Sequence, residues 1–287
     1  MTLTLVLTLL LSVVIGLSLG LLGGGGSILT VPILTYVAGL DPKEAIAASL
    51  FVVGVTSAVS AVAHARRGRV KWRTGLVFGA AGMAGAFLGG LAGGHLPGTV
   101  LMIAFALMML ATSLAMLRGR RNSTTETHEG ELPLGKVVAE GLVVGLVTGL
   151  VGAGGGFLVV PALALLGGLP MPVAVGTSLV VIAMKSFAGL AGYLTAVSLD
   201  WGLVGAVTVA AVAGSFAGAR LAGRIPEATL RQGFGVLVAL MGVFVLVQEL
   251  PAAAGLAVGV TAAAGGMAAA VCWFAVPKCP LRAPLTA

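Results

Sequence analysis

The chain has 287 residues, 59% of them hydrophobic and only 9% charged, with a mean hydropathy of +1.14. A soluble domain carries about 25% charged residues, so these are too few to cover a water-facing surface, and a soluble binding module is excluded. The net charge of +7 does not point to nucleic acid, because the basic residues lie in short loops between apolar runs, the positive-inside pattern of a membrane protein.

The first apolar run, Leu3 to Leu22, follows Met1-Thr2-Leu3-Thr4-Leu5. That start lacks the positive segment of a cleavable signal, so the run reads as a retained helix. Next come Gly23, Gly24, Gly25, Gly26 and Ser27, which open a short apolar segment reaching Ala38. About 12 helical residues cover about 18 Å, against a hydrocarbon core of about 30 Å, so this segment is too short to cross alone. Adjacent glycines do not hold a helix against their backbone entropy, and the chain is expected to break here. A broken helix inside the membrane leaves free N–H groups and a partial positive charge, which suit an anion. The alternative is that the glycines, 45 in the whole chain, serve close helix packing; Gly85 and Gly89 fit that use.

Asp41-Pro42-Lys43-Glu44 reads as a helix start, with Pro at the first helical position and Glu at the third. Three full spans follow, at about Lys43 to Ala65, Thr74 to Gly94 and Gly98 to Leu117. Ser49, two turns into the first of these, either bonds back to its own helix or faces a ligand. The turn after it carries Arg66, Arg67, Arg69, Lys71 and Arg73, and Trp72 reads as an interfacial anchor. His95-Leu96-Pro97-Gly98 carries no Lys or Arg. Residues 118–133 are the hydrophilic stretch, with Arg118, Arg120 and Arg121, and read as a cytoplasmic linker.

Beyond it the sequence repeats itself. Gly20 to Pro32 aligns with Gly149 to Pro161, a shift of 149 − 20 = 129 positions. Without a gap, the same shift lays Ser49 on Ser178, Trp72 on Trp201, Gly85 on Gly214, Phe87 on Phe216, Gly89 on Gly218 and Pro97 on Pro226. Chance matching of apolar sequence does not readily pair two tryptophans and two prolines, so the unit is duplicated. The first copy spans 1–117 and the second 134–250. The second glycine cluster holds Gly152, Gly154, Gly155 and Gly156, and Thr177 and Ser178 occupy the register of Ala48 and Ser49. Lys185 stands halfway along the run Pro172 to Leu194, with no acidic residue three or four positions away. A lysine at the bilayer centre costs about 2.5–3.5 kcal/mol on insertion scales, and such residues face a bundle interior or pathway. An anion-binding or ion-coupling role is open to it, as is pairing with backbone carbonyls or with a distant carboxylate such as Glu140. Residues 251–287, with the apolar run Ala252 to Val276, have no counterpart in the repeat.

The loop Thr195 to Gly202 has no Lys or Arg where the first copy is basic, and the next loop carries Arg220, Arg224 and Arg231 where the first copy has none. Equivalent loops therefore fall on opposite sides, and an odd number of crossings per copy gives the same answer. The expected fold is an all-α membrane protein of two inverted-topology repeats, each a glycine-broken hairpin plus three spans, with one extra C-terminal helix. The N-terminus lies outside and the C-terminus in the cytoplasm. Whether each hairpin re-enters or crosses stays open. Cys272 and Cys279 are too few for a zinc site, and His64, His95 and His128 are scattered, so no metal and no cofactor is expected. No nucleophile–base pair stands at depth, which argues against an enzyme.

The two glycine segments, Gly176-Thr177-Ser178-Leu179 and the basic turn Arg66 to Trp72 together resemble the TauE/SafE family of sulfite exporters and sulfonate-related permeases. The resemblance covers nearly the whole chain. It implies a bacterial or archaeal plasma-membrane transporter of a small sulfur-containing anion such as sulfite, sulfoacetate or another sulfonate. It also implies a site at Gly23 to Ser27, Ser49, Gly152 to Gly156, Thr177 and Ser178, to which the membrane argument adds Lys185. The other readings are an anion channel of the same architecture, or a transporter of another anion such as a carboxylate. Coupling to protons or sodium, and assembly as a homo-oligomer, are left open.

Overall fold

The computed structural model describes residues 2–22, 27–117, 134–152, 159, 163, 171–221 and 227–275. All regular structure among them is helical: α1 (Thr2–Leu22), α2 (Thr30–Tyr36), α3 (Pro42–Arg66), α4 (Trp72–His95), α5 (Gly98–Leu117), α6 (Leu134–Val151), α7 (Met171–Tyr193), α8 (Trp201–Leu221), α9 (Glu227–Glu249) and α10 (Ala252–Ala275). On their described residues, α1, α3, α4, α7 and α8 are long and apolar enough to cross a bilayer. The spans expected from sequence match these helices to within about two residues, which is the scatter of any boundary definition.

Several hydroxyl groups within the helices are satisfied by their own backbone, as suits a lipid environment. Thr8 donates to the Thr4 carbonyl (2.8 Å), Ser12 to Thr8 (2.7 Å) and Thr208 to Val204 (2.6 Å). The ends obey local chemistry. α1 is described as far as Leu22, and a short 3₁₀ turn at 27–29 leads into α2. With only seven residues, α2 is about 10 Å long, far short of the bilayer, and its Thr30 to Leu34 are buried. α6 stops at Val151 because Gly152 takes a left-handed φ of 74° and returns its N–H to the Thr148 carbonyl at 3.0 Å, a glycine C-cap. Pro42 stands at the start of α3 as expected, but the Asp41 side chain makes no capping bond. Asp200 does cap α8, accepting from the N–H groups of Gly202 (2.9 Å) and Leu203 (3.2 Å).

The helices fall into two compact units. The first holds α1 to α4, α6 to α8 and the start of α5. Its core is α3 and α7, in each of which 67% of the apolar window is buried, against 33% for α1. α1 lies along α8 in the same direction: a Cβ on Gly16 would strike the Ala211 carbonyl, and one on Gly20 that of Ser215. α4 lies along α6 likewise, with Gly145 against Gly82 and Gly149 against Ala86. α4 also runs with α7, from Gly75 beside Thr177 to Gly93 beside Tyr193. α3 and α7 run oppositely, with Leu50 at Gly189, Gly54 at Phe187 and His64 at Gly176. Glycine is needed along the α1–α8 and α4–α6 seams because the facing atoms there are backbone, which cannot move aside for a methyl.

The second unit holds α5 from Met102 onward, α9 from Gln232 onward, and α10. Here Ser113 donates to the Gly235 carbonyl at 2.7 Å, and Gly242 lies against Leu110 and Met109, so α5 and α9 pack in opposite directions. α10 turns back on α9 after Pro251, with Gly255 against the Val247 carbonyl. Cys272 and Cys279 fall outside the described side chains.

Candidate functional site

The last turn of α6 leads into the second glycine cluster, and two other helices send three polar groups to it. From α3, the Ser49 hydroxyl donates to the Gly152 carbonyl at 3.1 Å. From α7, the Tyr193 hydroxyl donates to the Leu150 carbonyl at 2.5 Å. Also from α7, the Lys185 ammonium donates to the Thr148 hydroxyl at 3.1 Å, and that hydroxyl in turn donates to the Val144 carbonyl at 2.7 Å. A helix end leaves carbonyls without intrahelical partners, and in a membrane they cannot turn to water. Serine and tyrosine from two other helices fill that need. Gly152 is required here twice: its φ is left-handed, and a Cβ on it would strike the Ile46 side chain.

Lys185 is 2% exposed, and Thr148 is its hydrogen-bond partner among the described residues. Its stem lies in a gap left by Gly82, where a Cβ would stand 3.9 Å from Lys185 Cβ and 3.6 Å from the Gly141 carbonyl. The α6 C-terminus carries a partial negative charge, so a cation in its last turn gains up to about 2 kcal/mol in a partly buried setting. Neither partner considered from sequence is the one found. Glu140 stands two turns before Thr148, about 12 Å away along α6, and the lysine meets a hydroxyl rather than a backbone carbonyl. No group of three or more His, Cys, Asp or Glu that could hold a metal occurs among the described residues.

The remaining candidates separate. Thr177 lies at the other end of α7, where its hydroxyl accepts the Lys71 N–H at 3.0 Å and steadies the start of α4 beneath the basic turn. Ser178 bonds back to the Val175 carbonyl at 2.8 Å. Ser27 is fully buried, and nearby Thr30 is buried with its hydroxyl unbonded among the described residues. Gly23, Gly24, Gly25, Gly26, Gly154, Gly155 and Gly156 lie outside the described residues. Structure therefore joins Ser49, Gly152 and Lys185 at one place and sets Thr177 and Ser178 apart from it.

Two residues of this site escape the sequence pattern. Thr148 and Tyr193 fall on Leu19 and His64 under the repeat, so no match marks them. Two more polar residues carry a signal that the repeat does contain: Ser57 falls on Ser186. Both are fully buried on the facing helices α3 and α7, and neither hydroxyl has a partner among the described residues.

Comparison with known proteins gives the family. The family described as sulfite exporter TauE/SafE matches residues 8–245. A probable membrane transporter protein of Xylella fastidiosa is 35% identical over 237 residues, covering 81% of this chain and 91% of its own length. One from Methanocaldococcus jannaschii is 28% identical over 257 residues (82% and 94%), and one from Bacillus subtilis is 25% identical over 249 (84% and 99%). No solved structure matches the chain. With a family match along most of its length and transporters as relatives in bacteria and an archaeon, the chain belongs to the TauE/SafE family of multi-pass membrane transporters.

Proposed function

We propose that this chain is a secondary transporter that moves a small sulfur-containing anion, such as sulfite or an organosulfonate, across the plasma membrane of a prokaryote. Two inverted repeats hold the anion near midplane, and the site opens alternately to each side. Helix directions support the inversion. α7 and α8 are joined by residues 194–200, a link too short, at about 25 Å fully extended, to return along a full span, so α8 reverses α7. α1 runs with α8, and α6 runs with α4 and α7, which leaves α1 opposed to its mate α6. The positions of Lys and Arg support an external N-terminus and a cytoplasmic C-terminus.

The observation that carries the reading is the buried Lys185 ammonium one turn from the glycine break at Gly152. A positive charge at that depth attracts an anion that the membrane interior otherwise repels, and the break supplies backbone able to rearrange around it. Ser49 and Gly152 join the two copies across the same point, so a ligand there is felt by both.

Flux of radiolabelled sulfite or a sulfonate into proteoliposomes tests this. Saturable uptake with counterflow is expected, since a carrier exchanges bound ligand and a channel does not. Unchanged uptake by Lys185→Ala would remove that residue from the mechanism.

A further inference from the structure

Between α3 and α4 the chain carries Arg66, Arg67, Arg69, Lys71 and Arg73, all of them exposed. No Asp or Glu occurs from residue 45 to residue 125, nor anywhere on α7 or α8. Arg66, Arg67, Arg69 and Lys71 have no side-chain hydrogen bond or ion pair among the described residues. Like charges this dense repel one another and draw anions to the surface.

The turn is also fixed in shape. The Arg67 and Arg69 N–H groups both donate to the His64 carbonyl, at 3.2 and 3.1 Å, and Gly68 takes a left-handed φ of 67°. The Lys71 N–H goes to the Thr177 hydroxyl of α7, and a Cβ on Gly176 would strike the Arg69 carbonyl. The backbone is thus tied to α7, while the charged side chains stay exposed.

The second copy lacks this surface. Lys71 falls on Asp200, and Arg66, Arg67 and Arg69 fall on Thr195, Ala196 and Ser198. Asp200 caps α8, whereas Lys71 makes no side-chain cap on α4 and adds a cation at the positive end of that helix. Trp72 and its mate Trp201 are both about half exposed, so each turn keeps an interfacial anchor and one of them has the charge.

Apolar surface adjoins the cations. Val62, one helical turn before Arg66, and Leu76, one turn after Trp72, are each about half exposed. A free phosphate gains nothing from such neighbours. A phospholipid has an anionic head for the cations and acyl chains for Val62, Trp72 and Leu76.

We propose that the α3–α4 turn binds the headgroup of an anionic phospholipid, with Arg66, Arg67, Arg69 and Lys71 around the phosphate and Trp72 beside the glycerol. Each cation near an anionic membrane surface strengthens attraction about fivefold. The site occurs in the first copy alone and is independent of which anion the protein carries. Its bond to Thr177, eight residues before Lys185, lets a bound lipid steady the helix that holds the buried lysine.

Thermal unfolding of the purified full chain in detergent tests this. Phosphatidylglycerol raises the melting temperature, while phosphatidylcholine and inorganic phosphate at equal concentration do not. Arg66→Gln/Arg67→Gln/Arg69→Gln raises the phosphatidylglycerol concentration for half that shift about 100-fold, and Arg67→Gln alone about fivefold. Arg220→Gln/Arg224→Gln/Arg231→Gln removes as much charge from the basic loop of the second copy and keeps the shift. Native mass spectrometry reads binding without reference to stability: phosphatidylglycerol stays on the unaltered protein and leaves the first triple variant only. No response to phosphatidylglycerol, or no change in either Arg67 variant, overturns the site. Equal loss in both triple variants reduces it to net charge and overturns it too. Protection by inorganic phosphate or phosphatidylcholine as strong as that by phosphatidylglycerol overturns the assignment to an anionic lipid.

Discussion

The seam between α1 and α8 and the seam between α4 and α6 are built from the same positions of the repeat. Gly16 meets Ala211 as Gly145 meets Gly82, Gly214 meets Val13 as Gly85 meets Leu142, and Gly218 meets Leu17 as Gly89 meets Leu146. In each, a helix of one copy is paired with a helix of the other. The α3–α7 crossing also joins two mates, yet there the copies have diverged in sequence: the repeat equates Thr56 with Lys185, Ala58 with Phe187, Ala48 with Thr177 and His64 with Tyr193. Where backbone touches backbone only glycine or alanine fits, so both copies keep the same solution. Where side chains meet around a central point, a change in one copy is tolerated and sets charge and shape. Scaffold and chemistry are thereby separated within one duplicated unit.

Breaking the seams should have the largest effect. Gly85→Leu and Gly214→Leu each drive a side chain into a carbonyl, of Leu142 and Val13 respectively, at a cost of at least about 3 kcal/mol. Neither variant should yield monodisperse protein by size-exclusion chromatography. Tolerance of one but not the other would show that the seams are not equivalent.

Next is Lys185→Met, which fills the same gap without charge. Sulfite uptake should fall about 100-fold, about 2.7 kcal/mol of lost stabilisation. The melting temperature should hold or rise, because a costly intramembrane charge is gone. A drop in melting temperature alongside lost uptake would make the lysine a structural clamp on α6.

Smaller effects are expected where α6 ends. Tyr193→Phe removes one buried hydrogen bond to Leu150 and should cost about 1 kcal/mol in thermal unfolding. Ser49→Ala should cost a similar amount through Gly152, whereas Ser178→Ala, its repeat mate, loses only a bond within its own turn and should shift stability by less than about 0.5 kcal/mol. Equal costs at Ser49 and Ser178 would argue against a diverged crossing.

Much of this was legible in the residues themselves. The spans, the end of α6 at Gly152 and the burial of Lys185 follow from apolar length, glycine and the cost of a charge in lipid. The partners of Lys185 and Ser49 did not follow. Thr148 lies 37 positions from Lys185, and Gly152 lies 103 from Ser49, and hydroxyl groups carry no signal of which distant atom they will meet. Thr177 illustrates the limit: beside Ser178 in sequence, it serves the start of α4.

By itself the sequence determined that the chain lives in lipid, that one unit occurs twice, and that a helix ends at Gly152. Those properties depend on composition and local backbone entropy, which short stretches of sequence contain. Tertiary structure alone decided that the copies exchange partners, α1 with α8 and α4 with α6. It also decided that Lys185 stands where the copies meet, because that position depends on the register of two helices 129 residues apart.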